Sequence, residues 1–378
     1  MRVATILGTR PEIIRLSKII PLLDNLLGAG DGHRVFHTGQ NYDRELDTAF
    51  FEEFGLRDPD VHAKAGGGTF AKQLAIFLPR LEAWLKEFQP DRFLVLGDTN
   101  SSVGALIAAR LGIPVYHLEA GNRCHGPQSP EEVNRRAIDH VSTVHLCYTE
   151  RSRMNLVAEG IPLARTFVVG NPLAEVLSGL RQEPRGLLEH VNRRVLDDKA
   201  WERAGGGFGR PRWLATLHRQ ENVDAPDRPK AFLDAIQAAC DGAGARCLMS
   251  THPRTRAWLK GQEATWDRIY FSRPLPFGQF VAMEASADLV LSDSGTAPEE
   301  CAITARPLVI LRDYMERQEV LERGGAVLWA PGSPTPLSLA ARSVMDPSVL
   351  PVPIPPEYAP HPVAATVARL LLSPVPPC

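Results

Sequence analysis

Two acidic residues stand immediately after two short apolar stretches in the first half of the sequence. Asp98 follows Phe93–Leu96, and Glu119 follows Val115–Leu118, each separated by one residue or none. Carboxylates that enter one cleft from two neighbouring strands are suited to general acid and base catalysis. The alternative is structural, because an acidic residue after a strand commonly caps the next helix. The spacing alone leaves both interpretations open.

A third acidic residue lies at the start of a predicted helix. Ser129 and Pro130 are typical of the N-cap and N1 positions, and Glu132 at N3 would complete a capping box. Glu131 is then left for another role. It precedes Arg135 by four residues, so the two share a helix face. They form either a surface ion pair or a buried acid whose pKa is tuned by charge.

A candidate anion site follows the first apolar stretch, Val3–Leu7. Gly8 permits a tight turn and Pro11 suits the first turn of a helix, so backbone N–H groups would point at an anion. Arg10 would add a charge-assisted hydrogen bond to phosphate. The alternative is an ordinary turn into a helix with a solvated arginine.

Two histidines occupy equivalent positions after two neighbouring apolar stretches in the second half. His218 follows Trp213–Leu217, and His252 comes shortly after Arg246–Ser250. A lone histidine is usually structural, but two at equivalent positions indicate a site. Their spacing matches no metal-binding motif, so the sequence predicts no metal.

A turn rich in hydroxyl groups follows a later apolar stretch. Ser294, Gly295 and Thr296 would place hydroxyl and N–H groups at a helix N-terminus, an arrangement that binds phosphate. One turn into that helix, the Glu300 carboxylate could accept both hydroxyls of a ribose. Arg312, after the next stretch, adds a cation to the rim. The Walker spacing and its lysine are missing, so this is not a P-loop.

The elements that must position these residues are parallel strands alternating with helices. The helices are predicted over Ile13–Asn25, Phe70–Lys86, Ser102–Leu111, Lys230–Ala239 and Val363–Leu372. The strands are predicted over Val3–Leu7, Arg34–Thr38, Phe93–Leu96, Val115–Leu118, Val144–Tyr148, Phe167–Val169, Trp213–Leu217, Arg246–Ser250, Ile269–Phe271, Leu289–Leu291, Leu308–Leu311 and Val327–Trp329.

This alternation predicts an α/β fold with two Rossmann-like, doubly wound parallel-sheet domains of about six strands each. The expected domains are 1–171, which is N-terminal, and 172–355, with a last helix at about 356–378 that packs back on the first domain. The glycine-rich segment 205–210 is expected to be a surface loop.

Composition limits the classes of partner. The 378 residues include 42 Lys+Arg and 44 Asp+Glu, a net charge of −2, which favours neither nucleic acid nor an anionic membrane. The apolar runs are too short for a signal peptide or a membrane span, so a cytoplasmic protein is expected. The six cysteines form no C-x-x-C pair and are expected to be free thiols.

Taken together and in order, the motifs resemble those of the non-hydrolysing UDP-N-acetylglucosamine 2-epimerase family. The resemblance covers nearly the whole chain. The motifs that carry it are Gly8-Thr9-Arg10-Pro11-Glu12, Gly97-Asp98-Thr99, Glu119-Ala120-Gly121, Pro130-Glu131-Glu132-Val133-Asn134-Arg135, His218-Arg219-Gln220-Glu221-Asn222, Asp293-Ser294-Gly295, and Arg312-Asp313 with Glu316-Arg317.

The resemblance implies a fold similar to that of GT-B glycosyltransferases, with the active site in an interdomain cleft. It implies the interconversion of UDP-GlcNAc and UDP-ManNAc by anti-elimination of UDP to a 2-acetamidoglucal and re-addition, without cofactor or metal, in a homodimer that serves polysaccharide biosynthesis. The catalytic residues implied are Asp98, Glu119, Glu131, Arg135 and His218. The residues implied to bind UDP are Arg10, Arg15, His252, Ser294, Gly295, Thr296, Glu300 and Arg312.

Three departures from the family pattern bear on the substrate and its regulation. Arg15 stands where the commonest members have lysine, and an arginine does not act as a proton donor near neutral pH. Gln40-Asn41-Tyr42-Asp43 replaces the Gln-His segment that helps bind an activating UDP-GlcNAc, so hyperbolic kinetics are expected. The same segment, with Glu119–Cys124, resembles the branch that acts on 2,3-diacetamido uronates or 6-deoxy-2-acetamido hexoses.

Other functions share some of these residues. A GT-B glycosyltransferase or a nucleotide-sugar sensor would need Ser294 and Glu300 but not the three carboxylates Asp98, Glu119 and Glu131. A hydrolysing epimerase would release UDP and free ManNAc. The set as a whole therefore favours the epimerase.

Overall fold

A computed structural model describes residues 1–40, 50–124, 129–182, 211–275, 277–349 and 352–374. Residues 41–43, part of the segment that departs from the family's activator motif, and the glycine-rich segment 205–210 lie outside the described residues. The chain divides into two compact units: unit 1 is Met1–Val176 with Pro360–Cys378, and unit 2 is Leu177–Ala359.

Unit 1 is built on a seven-stranded parallel sheet in the order β3-β2-β1-β4-β5-β6-β7. Most of its strands are short, apolar and buried, as is typical of strands that are covered on both faces. The strands are β1 Val3–Leu7, β2 His33–His37, β3 Val61–His62, β4 Arg92–Leu96, β5 Val115–Leu118, β6 Val144–Cys147 and β7 Thr166–Val168.

Helices connect these strands, and the last helix of the chain packs against the second one. The helices of this part are α1 Arg10–Leu16, α2 Ile19–Leu27, α3 Phe70–Phe88, α4 Ala105–Arg110, α5 Pro130–Val141, α6 Glu150–Ala158, α7 Pro172–Gln182 and the last, α15 Val363–Leu372, with 3-10 turns at Asn100–Gly104 and Leu163–Arg165.

Unit 2 repeats this architecture with a six-stranded parallel sheet in the order β10-β9-β8-β11-β12-β13. Its strands are β8 Arg212–Thr216, β9 Arg246–Ser250, β10 Ile269–Ser272, β11 Leu289–Ser292, β12 Leu308–Ile310 and β13 Ala326–Leu328. Its helices are α8 Gln220–Val223, α9 Arg228–Ala243, α10 Pro253–Leu259, α11 Phe277–Ser286, α12 Ala297–Thr304, α13 Gln318–Glu322 and α14 Leu337–Val344, with 3-10 turns at Glu263–Thr265, Pro347–Val349 and Pro356–Tyr358.

The predicted fold class of two Rossmann-like, doubly wound parallel sheets is confirmed. Every predicted strand is present, with neither end displaced by more than one residue. The two-residue strand β3 was not predicted, because it is too short to produce a pattern. The helix predicted over Ile13–Asn25 is interrupted between Leu16 and Ile19, so α1 and α2 are separate helices.

The capping box predicted at Ser129 is wrong. The Ser129 hydroxyl makes no cap hydrogen bond and instead donates to Glu131 Oε2 at 2.9 Å. Glu132 Oε2 accepts from the backbone N–H of Cys124 at 3.1 Å, so its carboxylate is turned to a neighbouring loop. Pro130 is the first residue of the helix, as predicted.

We therefore expect Ser129→Ala to lower the free energy of unfolding by less than about 0.5 kcal/mol, since no cap is lost. Thr149→Ala is the matched comparison, because the Thr149 hydroxyl accepts from the N–H of Ser152 at 3.2 Å and caps α6. It should cost about 1 kcal/mol. Urea unfolding of both variants checks the difference, and equal losses would contradict it.

Neither a membrane-spanning helix nor a disulfide bond is present among the described residues. None of the described helices combines the length and apolar composition needed to cross a membrane. The five described cysteines are buried and none forms a disulfide.

Candidate active site

The strand order brings the sequence motifs of each unit together at one place. In unit 1 the chain direction across the sheet reverses between β1 and β4, and in unit 2 between β8 and β11. Loops that leave two such neighbouring strands diverge to opposite faces and leave a crevice where α/β proteins bind ligands. The loops after β1 and β4 carry Arg10 and Asp98, and those after β8 and β11 carry His218 and Ser294.

Asp98 is held by the helix that carries Arg135. The guanidinium of Arg135 donates through Nε to Asp98 Oδ2 at 2.8 Å, and its Nη2 lies 2.5 Å from the same oxygen. On the same helix, Asn134 Nδ2 donates to the backbone carbonyl of Asp98 at 3.0 Å. The Asp98 carboxylate is therefore held by Arg135, and the N-cap residue of the following turn is Thr99 rather than Asp98.

Glu119 lies beside Asp98 in a strained backbone conformation. Its φ is +74°, in the left-handed region that non-glycine residues rarely adopt. A Cβ placed on Gly97 would lie 3.6 Å from Glu119 Oε2, so this carboxylate adjoins the Asp98 loop. Asn122 Nδ2 donates to Glu119 Oε1 at 3.0 Å, and Arg15 Nη1 lies 3.9 Å from Oε2. Backbone strain at such a position is typical of functional sites.

Glu131 and Arg135 share a helix face, but Arg135 has other ion-pair partners, Asp98 and Glu132. Burial acts to raise the pKa of Glu132, but the Cys124 N–H and Arg135 hold it below its ordinary value. Glu132 is thus the permanent counter-ion in this cluster. Glu131 is half-buried one turn before Arg135, and its carboxylate accepts from Ser129.

Glu12 is a residue of this site that the sequence analysis missed as a functional candidate. Its Oε2 accepts from the N–H groups of Gly8 and Thr9 at 2.9 and 2.8 Å, and its Oε1 accepts from Thr99 Oγ1 at 3.0 Å. Glu12 therefore links the loop after β1 to the loop that carries Asp98. The spacing Thr9-x-x-Glu12 is itself a capping-box signal that could have identified it.

Burial raises the pKa of Glu12 to about 7, and its hydrogen bonds with Thr9, Gly8 and Thr99 only partly oppose that rise. The group consequently exchanges its proton in the neutral range while it lies 1% exposed behind the site.

The two arginines of the first motif have different surroundings. Arg15 is buried and faces Glu119, while Arg10 is half-buried with its guanidinium carbon 5.9 Å from the ring centre of Phe50. Both lie in unit 1. The other residues implied to bind UDP lie in unit 2.

In unit 2 the buried Asp293 organises the loop that carries His218. Its carboxylate accepts from the backbone N–H groups of His218 and Arg219 at 2.9 and 2.8 Å and from Asn222 Nδ2 at 3.1 Å. The His218 ring nitrogen Nδ1 lies 3.2 Å from Asp293 Oδ1. The orientation of His218 is therefore set by a carboxylate behind it. The sequence motifs include Asp293, but the predicted site residues do not.

The second histidine, His252, lies next to the first one. The two ring centres are 5.4 Å apart, which places both predicted histidines together. His252 also has a structural role, because its Nδ1 accepts from the N–H of Arg254 at 3.2 Å and it is the N-cap residue of α10.

The turn after β11 has the form predicted for it. Ser294 Oγ lies 3.1 Å from Thr296 Oγ1 and accepts from the N–H of Thr296 at 3.3 Å, directly before α12. Space beside Gly295 is limited, since a Cβ there would lie 2.9 Å from Nη2 at the end of the Arg219 side chain and 3.5 Å from Glu316 Oε1. Backbone and hydroxyl groups thus converge where phosphate was predicted to bind.

Glu300 and Arg312 lie behind this turn and are both buried, at 3% and 5% exposure. Arg312 Nη1 donates to Glu316 Oε2 at 3.1 Å. Burial and the nearby Glu300 raise the pKa of Glu284, a fully buried carboxyl that accepts from Cys301 Sγ at 3.1 Å. Glu284 therefore favours its protonated form.

Among the residues that the structure describes, no group of three or more His, Cys, Asp or Glu side chains is arranged to hold a metal ion.

Comparison with known proteins matches this chain over most of its length. A family model described as UDP-N-acetylglucosamine 2-epimerase matches residues 29–349. The UDP-N-acetylglucosamine 2-epimerase of Methanocaldococcus jannaschii is 36% identical over 339 residues, which are 87% of this chain and 88% of the relative. The UDP-2,3-diacetamido-2,3-dideoxy-D-glucuronate 2-epimerase of Pseudomonas aeruginosa is 30% identical over 87% of this chain and 88% of the relative.

Solved structures agree with this match. The crystal structure of the Methanocaldococcus jannaschii UDP-GlcNAc 2-epimerase in complex with UDP-GlcNAc and UDP superposes with a TM-score of 0.83 at 32% identity, covering 98% of this chain and 99% of that one. The Rickettsia bellii UDP-N-acetylglucosamine 2-epimerase superposes with a TM-score of 0.83 at 31% identity, covering 99% of this chain and 97% of that one. The chain belongs to the UDP-N-acetylglucosamine 2-epimerase family.

Proposed function

We propose that this protein is a UDP-sugar 2-epimerase that interconverts UDP-GlcNAc and UDP-ManNAc. The observation that carries the proposal is the pair of adjacent carboxylates, Asp98 and Glu119, each facing its own buried arginine, Arg135 and Arg15. A protein that only binds or transfers a sugar nucleotide has no need of this arrangement, whereas inversion at a carbon atom requires proton removal and return.

The reaction itself defines what the residues must do. C2 of the sugar has no adjacent carbonyl, so its proton is removed only as the C1–O bond to UDP breaks and a C1–C2 double bond forms. UDP then adds again to C1 while a proton is delivered to the opposite face of C2. Groups at two separate places meet this need, and we assign it to Asp98, Glu119 and Glu131, with Arg135 orienting Asp98.

We assign the nucleotide to unit 2. The hydroxyl groups of Ser294 and Thr296, at the start of α12, are assigned to the diphosphate, and Arg312 adds positive charge. Glu300 is assigned to the ribose hydroxyls. His218 is assigned to the catalytic group and His252 to the nucleotide, while Arg10 and Arg15 of unit 1 are assigned to the departing diphosphate.

Gly295→Ala tests the nucleotide assignment. The added methyl group would lie 2.9 Å from Arg219 Nη2, so the Arg219 guanidinium must move away from the turn. We expect UDP to bind about tenfold more weakly, as titration calorimetry would measure. Gly242→Ala is the control, because nothing lies within 4 Å of a Cβ at that glycine. Unchanged UDP affinity in Gly295→Ala would remove this turn from the nucleotide site.

Incubation of the protein with UDP-GlcNAc in D2O tests the proposed reaction. Deuterium at C2 of both UDP-GlcNAc and UDP-ManNAc is the expected result, because the proton that returns to C2 comes from solvent-exchanged groups. Release of UDP with free ManNAc would indicate the hydrolysing reaction instead. Absence of any change at C2 would overturn UDP-GlcNAc as the substrate.

A second candidate substrate is a UDP-sugar modified at C3 or C6. It is favoured by the similarity to the Pseudomonas aeruginosa 2,3-diacetamido-glucuronate 2-epimerase, at 30% identity. The same D2O experiment with UDP-2,3-diacetamido-2,3-dideoxy-glucuronate distinguishes the two candidates, since the better substrate shows the higher kcat/KM for exchange at C2.

We further propose that the protein acts as a cytoplasmic homodimer in polysaccharide biosynthesis. The resemblance of its motifs to those of the family supports this proposal. Sedimentation at several protein concentrations tests the dimer, and a monomer at all of them would contradict it.

A further inference from the structure

We propose that His117, held by Asp139, is the positioning residue for the two carboxylates Asp98 and Glu119. This inference rests on the proposed function, because it concerns the groups that are assigned to proton transfer. His117 lies in β5, two residues before Glu119, and both His117 and Asp139 are 0% exposed.

The first contact of His117 is with the loop that carries Asp98. Its Nε2–H donates to the backbone carbonyl of Gly97 at 2.9 Å. Gly97 directly precedes Asp98 and has a φ of +66°, so its peptide orientation sets the direction in which Asp98 leaves the strand. A hydrogen bond to this carbonyl restricts that rotation.

The second contact extends to the loop that carries Glu119. His117 Nδ1–H donates to Asp139 Oδ1 at 2.7 Å, and Asp139 Oδ2 in turn accepts from Arg123 Nη1 at 2.8 Å and from the N–H of Gly121 at 3.3 Å. Residues on both sides of Glu119 are therefore fixed to the same buried carboxylate. The strained φ of Glu119 needs such support, since the surrounding structure must impose it.

The partners of the ring define which nitrogen must carry a proton. A backbone carbonyl only accepts, so Nε2 of His117 carries the proton that binds the Gly97 carbonyl. Burial acts to raise the pKa of Asp139, but His117 and Arg123 hold it below its ordinary value, so Asp139 is the anion.

The other charged or titratable groups that face this pair are His145 and Cys147 of β6, and Glu159, which pairs with Arg123. Burial lowers the pKa of His145 and raises that of Cys147, so both remain neutral. Arg123 thus pairs with both Asp139 and Glu159.

A buried set of charges contributes little stability compared with apolar packing. Within β5 the neighbours of His117 are the buried Tyr116 and Leu118, so an apolar residue would suit the strand. The pair of His117 and Asp139 instead fixes the orientation of the two carboxylates. It does so because it forms hydrogen bonds with the backbone of the loop that carries Asp98 and of the loop that carries Glu119. Displacement of a reacting group by about 1 Å lowers rates by roughly 100-fold.

The test compares His117→Gln with His145→Gln. His145 is the matched control, since its buried Nε2 donates to the backbone carbonyl of Asp139 at 2.7 Å but does not contact the Gly97 or Gly121 backbone. We expect His117→Gln to lower kcat for C2 exchange by about 10- to 100-fold with KM within about threefold, and His145→Gln to leave kcat within about twofold. Equal kcat losses in the two variants, or none in His117→Gln, would overturn the proposal.

A second measurement does not require the variant to fold. In wild-type protein labelled with 15N-histidine, the His117 signal, identified by its contacts within β5, should show a proton on Nε2, the atom that donates to the Gly97 carbonyl. A ring without a proton on Nε2 would overturn the proposed contact. If the wild-type protein exchanges no proton at C2 of any UDP-sugar, the proposed function fails, whereas exchange that His117→Gln retains in full refutes the positioning role alone.

Discussion

Replacement of Glu119 by glutamine should lower turnover by a factor of about 10²–10⁴, the range of general acid and base contributions. The substitution preserves the volume of the side chain and the Asn122 hydrogen bond to its oxygen, 3.0 Å long in the wild type, but removes the charge and the ability to carry a proton. Because the backbone at this residue already has a φ of +74° with a side chain present, the variant adds no new strain. Initial rates of C2 exchange in D2O measure the effect.

The control for this experiment is Glu82→Gln. Glu82 forms an exposed ion pair with Lys86 on α3, at 2.6 Å, and its loss should leave turnover unchanged. A Glu119→Gln variant that retains the activity of Glu82→Gln would show that Glu119 has a structural role only. Loss of UDP affinity with unchanged turnover would instead assign Glu119 a role in UDP binding.

Stability should depend on pH through Glu12, by about 3 kcal/mol between pH 4.5 and pH 8. The folded protein raises the pKa of Glu12 from 4.5 to about 7, so in this interval it keeps a proton that the unfolded chain has lost. The contribution of this group is fully present below the unfolded pKa. It is lost as the pH rises through the folded pKa of about 7, because ionisation then occurs inside the protein.

Glu12→Gln should remove this slope, since a neutral amide does not titrate. Urea unfolding of the wild type and the variant at pH 5, 6, 7 and 8 measures it as the difference between their free energies of unfolding. We expect that difference to shift by about 2.5 kcal/mol in favour of the variant from pH 5 to pH 8. Glu82→Gln again is the control. Parallel pH profiles for wild type and Glu12→Gln would show that Glu12 is ionised throughout.

Glu119 and Glu12 represent two kinds of carboxyl group in unit 1, which differ in exposure and in hydrogen-bond partners. Glu119, at 8% exposure, lies closer to solvent than Glu12, at 1%, and faces an arginine, as Asp98 does. Glu12 faces backbone N–H groups and hydroxyl groups instead. The outer groups are thus paired with arginines, while burial favours the protonated form of Glu12.

The presence of Arg15 where lysine is common in the family fits this division. Its guanidinium lies 3.9 Å from Glu119 Oε2 and remains charged at any pH that the folded protein tolerates. In the proposed mechanism Arg15 stabilises negative charge and is assigned no proton transfer.

Sequence patterns were sufficient to predict the strands, the fold class and the family. Short apolar stretches alternating with helices predicted both parallel sheets, because strands covered on two faces are apolar along their whole length. The motifs lie directly after those strands, so their clustering at the point where the strand order reverses followed from the topology. The resemblance in the order of the motifs predicted the family.

The partners of each charged side chain were decided only by the tertiary structure. Glu132 was assigned to a capping box, and Arg135 was paired by spacing with Glu131, because local patterns describe neighbours within one helix. In the folded chain, Cys124 and Asp98 approach that helix from other loops. Glu132 accepts a hydrogen bond from the N–H of Cys124, and Arg135 donates to Asp98. Hydrogen bonds to ionised groups are stronger than the local alternatives when they are buried, so long-range contacts prevail over helical spacing. The roles of Glu12, His117 and Asp139 have the same origin, since each joins loops that are distant in sequence.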